Sequence, residues 1–434
     1  MLKMVSIIAK FSKTIKYLQI IGGPIEVAHI IHILTLVPNA QHLAIRAHIQ
    51  RRNCKTTSKV DLDFKHLKTL ELWHCEELFE AAFNGLTEGV LRELKLDTFQ
   101  TLPAHILNEF LNCQKKIKKL TMINCPAVVL DSLKLDSLVV WNMAVETSTL
   151  SVQANLKSLC IAYTKSVDEN QIKTLTRLTE LEELDCEVGE TPVNVLVNIQ
   201  QLKNLKHLKL RCLNKSRQPD IIDTFVKLDN SRICTLDISY FEDLTIHQIE
   251  ALATSASKLE VLDAHIYLEG EEKIEAILKA FNFLERLRLR CSTLMDNYEK
   301  YESHDVKQYD SFNANLIELS FSFASTQNTM FPKQMIANYP NLKKLKVESE
   351  EPLVSSDFQL IINGFTKLES LELNGASGLN IKDFEYLREH KNKLQVLSLA
   401  GVYWQIRQHI DELTAMFQDV RVDDFDFHRL KIKV

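Results

Sequence analysis

The chain has 434 residues, 45% of them hydrophobic, with 52 basic against 57 acidic side chains and a formal net charge of −5. That overall balance excludes a protein built throughout to grip nucleic acid, and no apolar run approaches the roughly 20 residues of a membrane span. Nine cysteines, an odd number, read as reduced thiols and not as a disulfide framework. The first residues carry no small-residue cleavage site, so the expected compartment is the cytoplasm or nucleus.

In chain order, an apolar pattern L-x-x-L-x-L returns roughly every 25 residues, the period of a stacked repeat. It opens at Ile15-Leu18-Ile20, Leu67-Leu70-Leu72, Leu91-Leu94-Leu96 and Ile117-Leu120-Met122. It continues at Leu156-Leu159-Ile161, Leu205-Leu208-Leu210, Ile233-Leu236-Ile238 and Leu284-Leu287-Leu289. The last clear copies start at Leu342, Leu368 and Leu394, 26 residues apart each time. Weaker copies start at Ala40, Leu135, Leu181, Leu259 and Leu316, which makes about sixteen leucine-rich repeats.

Within each copy the alternation predicts a strand with one buried face, and the stretch that follows switches to a helical period. Thr245 is placed to cap a helix that buries Ile246, Ile249 and Leu252, and 357–365 follows suit through Phe358, Ile361, Ile362 and Phe365. Residues 271–281 repeat the pattern through Ile274, Ile277, Leu278 and Phe281. Strands stack about 4.8 Å apart while helices need about 10 Å. The expectation is an α/β leucine-rich-repeat solenoid, a horseshoe with a concave parallel sheet and convex helices.

One domain, 1–434, is expected. Residues 1–14 supply the helix of an incomplete first repeat, 292–315 form an inserted polar loop with three tyrosines, and 401–434 make a C-terminal capping repeat. The 18 residues from Ile117 to Leu135 are too few for a full helix.

Two copies, Leu67-Lys-Thr-Leu-Glu-Leu-Trp-His-Cys75 and Ile117-Lys-Lys-Leu-Thr-Met-Ile-Asn-Cys125, place a cysteine three residues after the last apolar position. In this the chain resembles the cysteine-containing repeats of F-box/LRR proteins. Most copies lack that cysteine; the repeat at Leu368 has Ala376 there. The resemblance implies substrate recognition for a Skp1-cullin-F-box ubiquitin ligase. No F-box is visible before Ile15, so a Skp1-type adaptor is an expected partner only through a module upstream of Met1. The alternative is a free-standing intracellular scaffold or inhibitor with no ubiquitin link.

Signals for catalysis are weak. His29 and His32 share a helix without a third ligand at metal spacing. Cys160, Cys186 and Cys212 fall at different places of their repeats and do not stack. No nucleophile elbow, phosphate loop or zinc-protease motif is present. No enzyme activity, cofactor or metal is expected, and the expected partner is a protein, with neither nucleic acid nor membrane.

A binding surface belongs on places three, five and seven of each repeat, which point away from the helices. Glu183, Asp185 and Glu187 there face His207, Lys209 and Arg211, a pairing that sheet stability alone explains. Arg286, Arg288 and Arg290 form a row between Val261, Asp263, His265 and Glu318, Ser320, Ser322. With Lys344 and Lys346 two repeats on, the row is expected to hold an anionic segment, since arginine suits bidentate capture of carboxylate or phosphate. Trp73, Trp141 and Tyr163, at places seven or eight, are candidate aromatic anchors for a partner.

Overall fold

The computed structural model describes residues 8–50, 62, 64–83, 86, 89–143, 150, 153–162, 174–188, 192–212, 214–241, 244–267, 276–277, 279–281, 283–292, 315–323, 339, 341–349, 352–390, 393–400, 409–417, 419–423 and 429–433. The chain divides into two compact units, Met1–Leu213 and Asn214–Val434.

In the first unit the repeats give nine strands among the described residues: β1 (Tyr17–Glu26), β2 (His42–Gln50), β3 (Thr69–Trp73), β4 (Glu93–Asp97), β5 (Lys119–Ile123), β6 (Ser137–Trp141), β7 (Ser158–Ala162), β8 (Glu183–Glu187) and β9 (His207–Arg211). Each pairs in parallel with the next, and like places face each other, as Leu70 with Leu94 and Leu72 with Leu96. Leu67, Leu70 and Leu72 are fully buried, as are Leu91, Leu94 and Leu96. Each leucine thus packs on its counterpart one strand away, which is why the pattern must recur in register.

Behind the sheet lie α1 (Val27–Thr35), a helical stretch at 76–83, α2 (Ala104–Cys113) and α3 (Pro192–Gln200). Phe79 meets Phe99 and Phe110 edge-on at 5.7 and 5.0 Å between ring centres, and Phe83 stacks on Phe64. The short interval between β5 and β6 holds no helix, as its length requires. Its chain buries Val128, Leu130 and Leu133.

After the strand the chain must swing from one face to the other within two residues. His74, Thr98, Asn124 and Asn142, all at place eight, take positive φ near 55°, and Gly375 in the second unit takes 87°. Each left-handed residue aims its N–H along the sheet. His74 donates to Asp97 O, Thr98 to Ile123 O, Asn124 to Trp141 O and Gly375 to Ala400 O, at 2.9–3.1 Å. The ladder therefore extends one rung past the strands and offsets a conformation that costs a non-glycine residue of order 1 kcal/mol.

The second unit repeats the scheme with β10 (Thr235–Ile238), β11 (Val261–Tyr267), β12 (Arg286–Ser292), β13 (Glu318–Phe323), β14 (Lys344–Ser349), β15 (Ser370–Asn374) and β16 (Val396–Ala400), all parallel. Its helices are α4 (Gln218–Phe225), α5 (Ile246–Ser255), α6 (Ser355–Gly364), α7 (Ile381–His390) and α8 (Ile410–Met416). Thr245 caps α5 in a reciprocal box with Gln248, as the sequence predicts, and Ile249 and Leu252 are buried. Ile246 is only half-buried, while Gln248 faces inward. Of the 271–281 helix, Ile277 and Phe281 are buried; Ile274 and Leu278 lie outside the described residues.

The last strands, β17 (Asp419–Asp423) and β18 (Arg429–Lys433), break the parallel rule. β18 returns antiparallel along β16, with Ile432 fully buried, and β17 pairs antiparallel with β18. This hairpin covers the edge of β16. The interval 293–314, with most of the inserted tyrosine loop, lies outside the described residues, as do 401–408 and much of 1–14.

Candidate partner-binding surface

Places three, five and seven line the face of each sheet away from the helices, and the registers are those the spacing predicts. Arg286, Arg288 and Arg290 stand opposite Val261, Asp263 and His265 on one side and Glu318, Ser320 and Ser322 on the other. Lys344 and Lys346 face Glu318 and Ser320 from the next strand.

The row is not a bare cationic spot. Arg288 lies 3.1 Å from Asp263, whose side chain is 10% exposed. Glu318 draws Arg286 from one side, at 3.7 Å, and Lys344 from the other, at 3.6 Å. Lys346 sits between Glu348 at 2.8 Å and Glu372 at 3.2 Å. Burial works against its charge, yet the hydrogen bonds to those two carboxylates outweigh burial and hold its pKa above the usual lysine value. Glu348 and Glu372 are the carboxylates that reading β12 and its nearest neighbours does not reach.

Arg286, Arg288 and Lys344 nevertheless keep more than half of their side-chain surface in water. The result is a ladder of alternating charges with exposed guanidinium and ammonium faces. The side chain of Arg290 lies outside the described residues.

In the first unit the tryptophans are held by cations. The Arg46 guanidinium lies 4.4 Å from the centre of the Trp73 ring and the Lys95 ammonium 4.9 Å from it. Both cations reach Glu71, Arg46 at 2.7 Å and Lys95 at 3.4 Å. Contacts of this kind contribute about 0.5–1 kcal/mol at exposed sites. The buried Trp73 Nε1 has no hydrogen-bond partner.

Trp141 is covered by Arg211, 4.6 Å from its ring centre. Arg211 is 5% exposed and grips Asp185 with two hydrogen bonds of 2.7 and 2.6 Å. It thus bonds a residue diagonal to it, while Glu187 is its register partner. Tyr163 lies outside the described residues. Reading places five and seven of the Ala40 and Leu91 repeats together with Trp73 finds Arg46 and Lys95, a signal that scanning one strand at a time misses.

The buried cysteines among the described residues are packing groups. Cys75 donates to the Trp73 carbonyl at 2.9 Å and Cys125 to that of Ile123 at 3.3 Å. Burial pushes their thiols up to about 11 and about 12. Cys160, whose thiol reaches Asp185 at 3.4 Å, is likewise pushed up to about 12 by burial and by that carboxylate. Burial also raises Cys186, while Cys212 is buried. Thiols held protonated are poor nucleophiles. His29 lies 3.8 Å from Glu26 in a loose exposed pair. Among the described residues no group of three or more His, Cys, Asp or Glu could hold a metal ion, and no helix is long and apolar enough to cross a membrane.

No family model matches the chain, and no curated protein matches it. Among solved structures the chain is similar to an internalin of Listeria monocytogenes, at 14% identity over 66% of this chain and 75% of that one, with a TM-score of 0.36. It is also similar to the leucine-rich repeat-containing protein LegL7 of Legionella pneumophila, at 13% identity over 62% of this chain and 87% of that one, TM-score 0.35. A third is TLR13 in complex with ssRNA13, at 15% identity over 79% of this chain and 40% of that one, TM-score 0.30. The fold rests on the repeat and the parallel register of the chain itself.

Proposed function

We propose that the protein is a recognition module that holds a protein partner on the open face of its second unit, where Arg286, Arg288, Lys344 and Lys346 meet an acidic segment. The chain is read as one repeat domain, 1–434, because the same spacing runs through both units. The observation that carries the reading is the ladder Asp263–Arg288, Arg286–Glu318–Lys344 and Lys346 with Glu348 and Glu372. Its cations are oriented by carboxylates, and Arg286, Arg288 and Lys344 stay more than half open to water, so a partner's acids can join them without new ordering of long side chains. In the finer form of the proposal, the partner is a substrate presented to a Skp1-cullin-F-box ubiquitin ligase, which the cysteine-bearing repeats support.

The test is affinity capture of the tagged chain with mass spectrometry, beside a variant carrying Arg286→Glu, Arg288→Glu, Lys344→Glu and Lys346→Glu. A stoichiometric protein lost from the variant is the expected result, and equal recovery by both overturns the site. Co-recovery of a Skp1-type adaptor supports the ligase role. One stoichiometric target without it selects a free-standing scaffold or inhibitor.

A further inference from the structure

Along the leading rim of the first unit, the second residue of each repeat is tied by its backbone to the second residue of the next. Lys68 N–H donates to Gln41 O, Arg92 to Lys68 O, Lys118 to Arg92 O and Asp136 to Lys118 O, each at 2.8 Å. Lys68, Arg92 and Lys118 are therefore consecutive rungs of one column, about 4.8 Å apart. The turn that leads into β5, Gln114-Lys-Lys-Ile-Lys-Lys119, adds Lys115, Lys116 and Lys119, and Lys134 stands at the next turn, all exposed.

Against these seven cations the described residues of the same turns set three carboxylates, Glu93, Asp131 and Asp136. Only Lys118 is paired with one of them among the described residues, at 3.7 Å from Asp136, and its ammonium also donates to Lys134 O at 3.1 Å. The Arg92, Lys115, Lys116 and Lys119 side chains make no ion pair there.

Repeat geometry does not demand this charge. The same backbone column in the second unit runs Glu260, Glu285, Ile317, Lys343 and Glu369. Nor does bulk composition explain it, since residues 1–213 carry 26 basic and 22 acidic side chains, close to balance. The cations are concentrated on one rim.

We propose that this rim docks an extended, Asp/Glu-rich segment of a partner protein. Six of the seven cations are lysines, compact charges on flexible stems that suit a run of carboxylates. Between Lys65 and Lys134 the described rim exposes no Phe, Tyr or Trp on which a base would stack, as single-stranded nucleic acid requires. The strip continues onto the open face through Lys119, at place three of β5 beside Glu93. The proposal is independent of the arginine row in the second unit.

The experiment is fluorescence anisotropy of the full chain with a labelled polyglutamate of about twelve residues, which at about 3.3 Å per residue spans the rungs. A single-stranded oligonucleotide of equal length serves as the rival probe. The wild type is expected to bind the peptide and to release it as salt rises from about 50 to about 200 mM. The variant Lys115→Gln, Lys116→Gln, Lys118→Gln, Lys119→Gln is expected to bind about tenfold more weakly or worse, because charges of this kind set association rate and salt dependence. Absence of peptide binding, equal binding by the variant, or tighter binding of the oligonucleotide through the same lysines overturns the proposal. A variant that melts below the wild type is replaced by Arg92→Gln with Lys134→Gln, read by the same three criteria.

Discussion

Three buried amides stand three residues ahead of a repeat's first apolar position, where other repeats bury Phe64, Leu178, Leu202, Phe281 or Phe365. Gln114 accepts from Leu91 N and donates to Leu86 O. Gln153 accepts from Leu135 N and donates to the carbonyls of Leu130 and Leu133. Asn230 donates to Phe225 O and Leu228 O. Each closes the backbone of the preceding repeat, where no strand or helix supplies a partner. Gln153 has the most to hold, because it fixes the helix-less interval between β5 and β6. Gln153→Ala strands the Leu135 N–H and the Leu133 carbonyl, while Leu130 O keeps the Leu133 N–H, so we expect a loss of about 2 kcal/mol in urea unfolding. Gln153→Leu should lose nearly as much, since leucine fills the volume but bonds nothing. A loss below about 0.5 kcal/mol, the range of ordinary surface changes, would contradict this role.

At the level of elements, helices of the second unit are linked to their neighbours through first-turn side chains. Gln248, which closes the box with Thr245, also donates to Asp223 of α4 at 2.7 Å. Asp383, 1% exposed, accepts from Asn380 N in its own first turn and from Ser355 Oγ at the start of α6. A cap here satisfies its own helix and fastens its neighbour. Thr245→Ala should cost about 1 kcal/mol through the lost cap alone. Gln248→Ala should cost more, because it also leaves Asp223 without its amide partner. Denaturant midpoints at unchanged slope distinguish the two, and a Gln248 variant no weaker than the Thr245 variant would refute the inter-helix link.

On the scale of the whole molecule, stability is a sum over neighbours, since each strand of the parallel stack pairs only with the one before and the one after. Damage should stay local. Ile432, fully buried on β18, seats the antiparallel hairpin on β16. Ile432→Asp places a charge in that contact, and we expect hydrogen exchange to accelerate in β16 and β15 by about tenfold or more while β2 to β6 stay protected. Uniform deprotection of both units would show global cooperativity instead.

The strand positions, their register and the buried faces were legible in the sequence because a parallel stack repeats one environment. Leu70 meets Leu94 for the reason that both occupy place four. The missing helix after β5 was legible from 18 residues of spacing, and the cap at Thr245 from its residue type. The arginine row and its strand neighbours were legible too, through register alone. The hold of Glu348 and Glu372 on Lys346 was missed, because Glu372 faces it from one strand beyond those read for the row and Glu348 lies along its own strand.

What the sequence by itself determined is therefore the repeat, since hydrophobic periodicity is a one-dimensional property that burial reads one residue at a time. Only the tertiary structure decided which charges reach past their register partners. Arg211 reached Asp185 and covered Trp141, and Arg46 and Lys95 closed over Trp73. Electrostatic interaction depends on distance across strands that lie some 25 residues apart in the chain, so its outcome exists only once those strands are side by side.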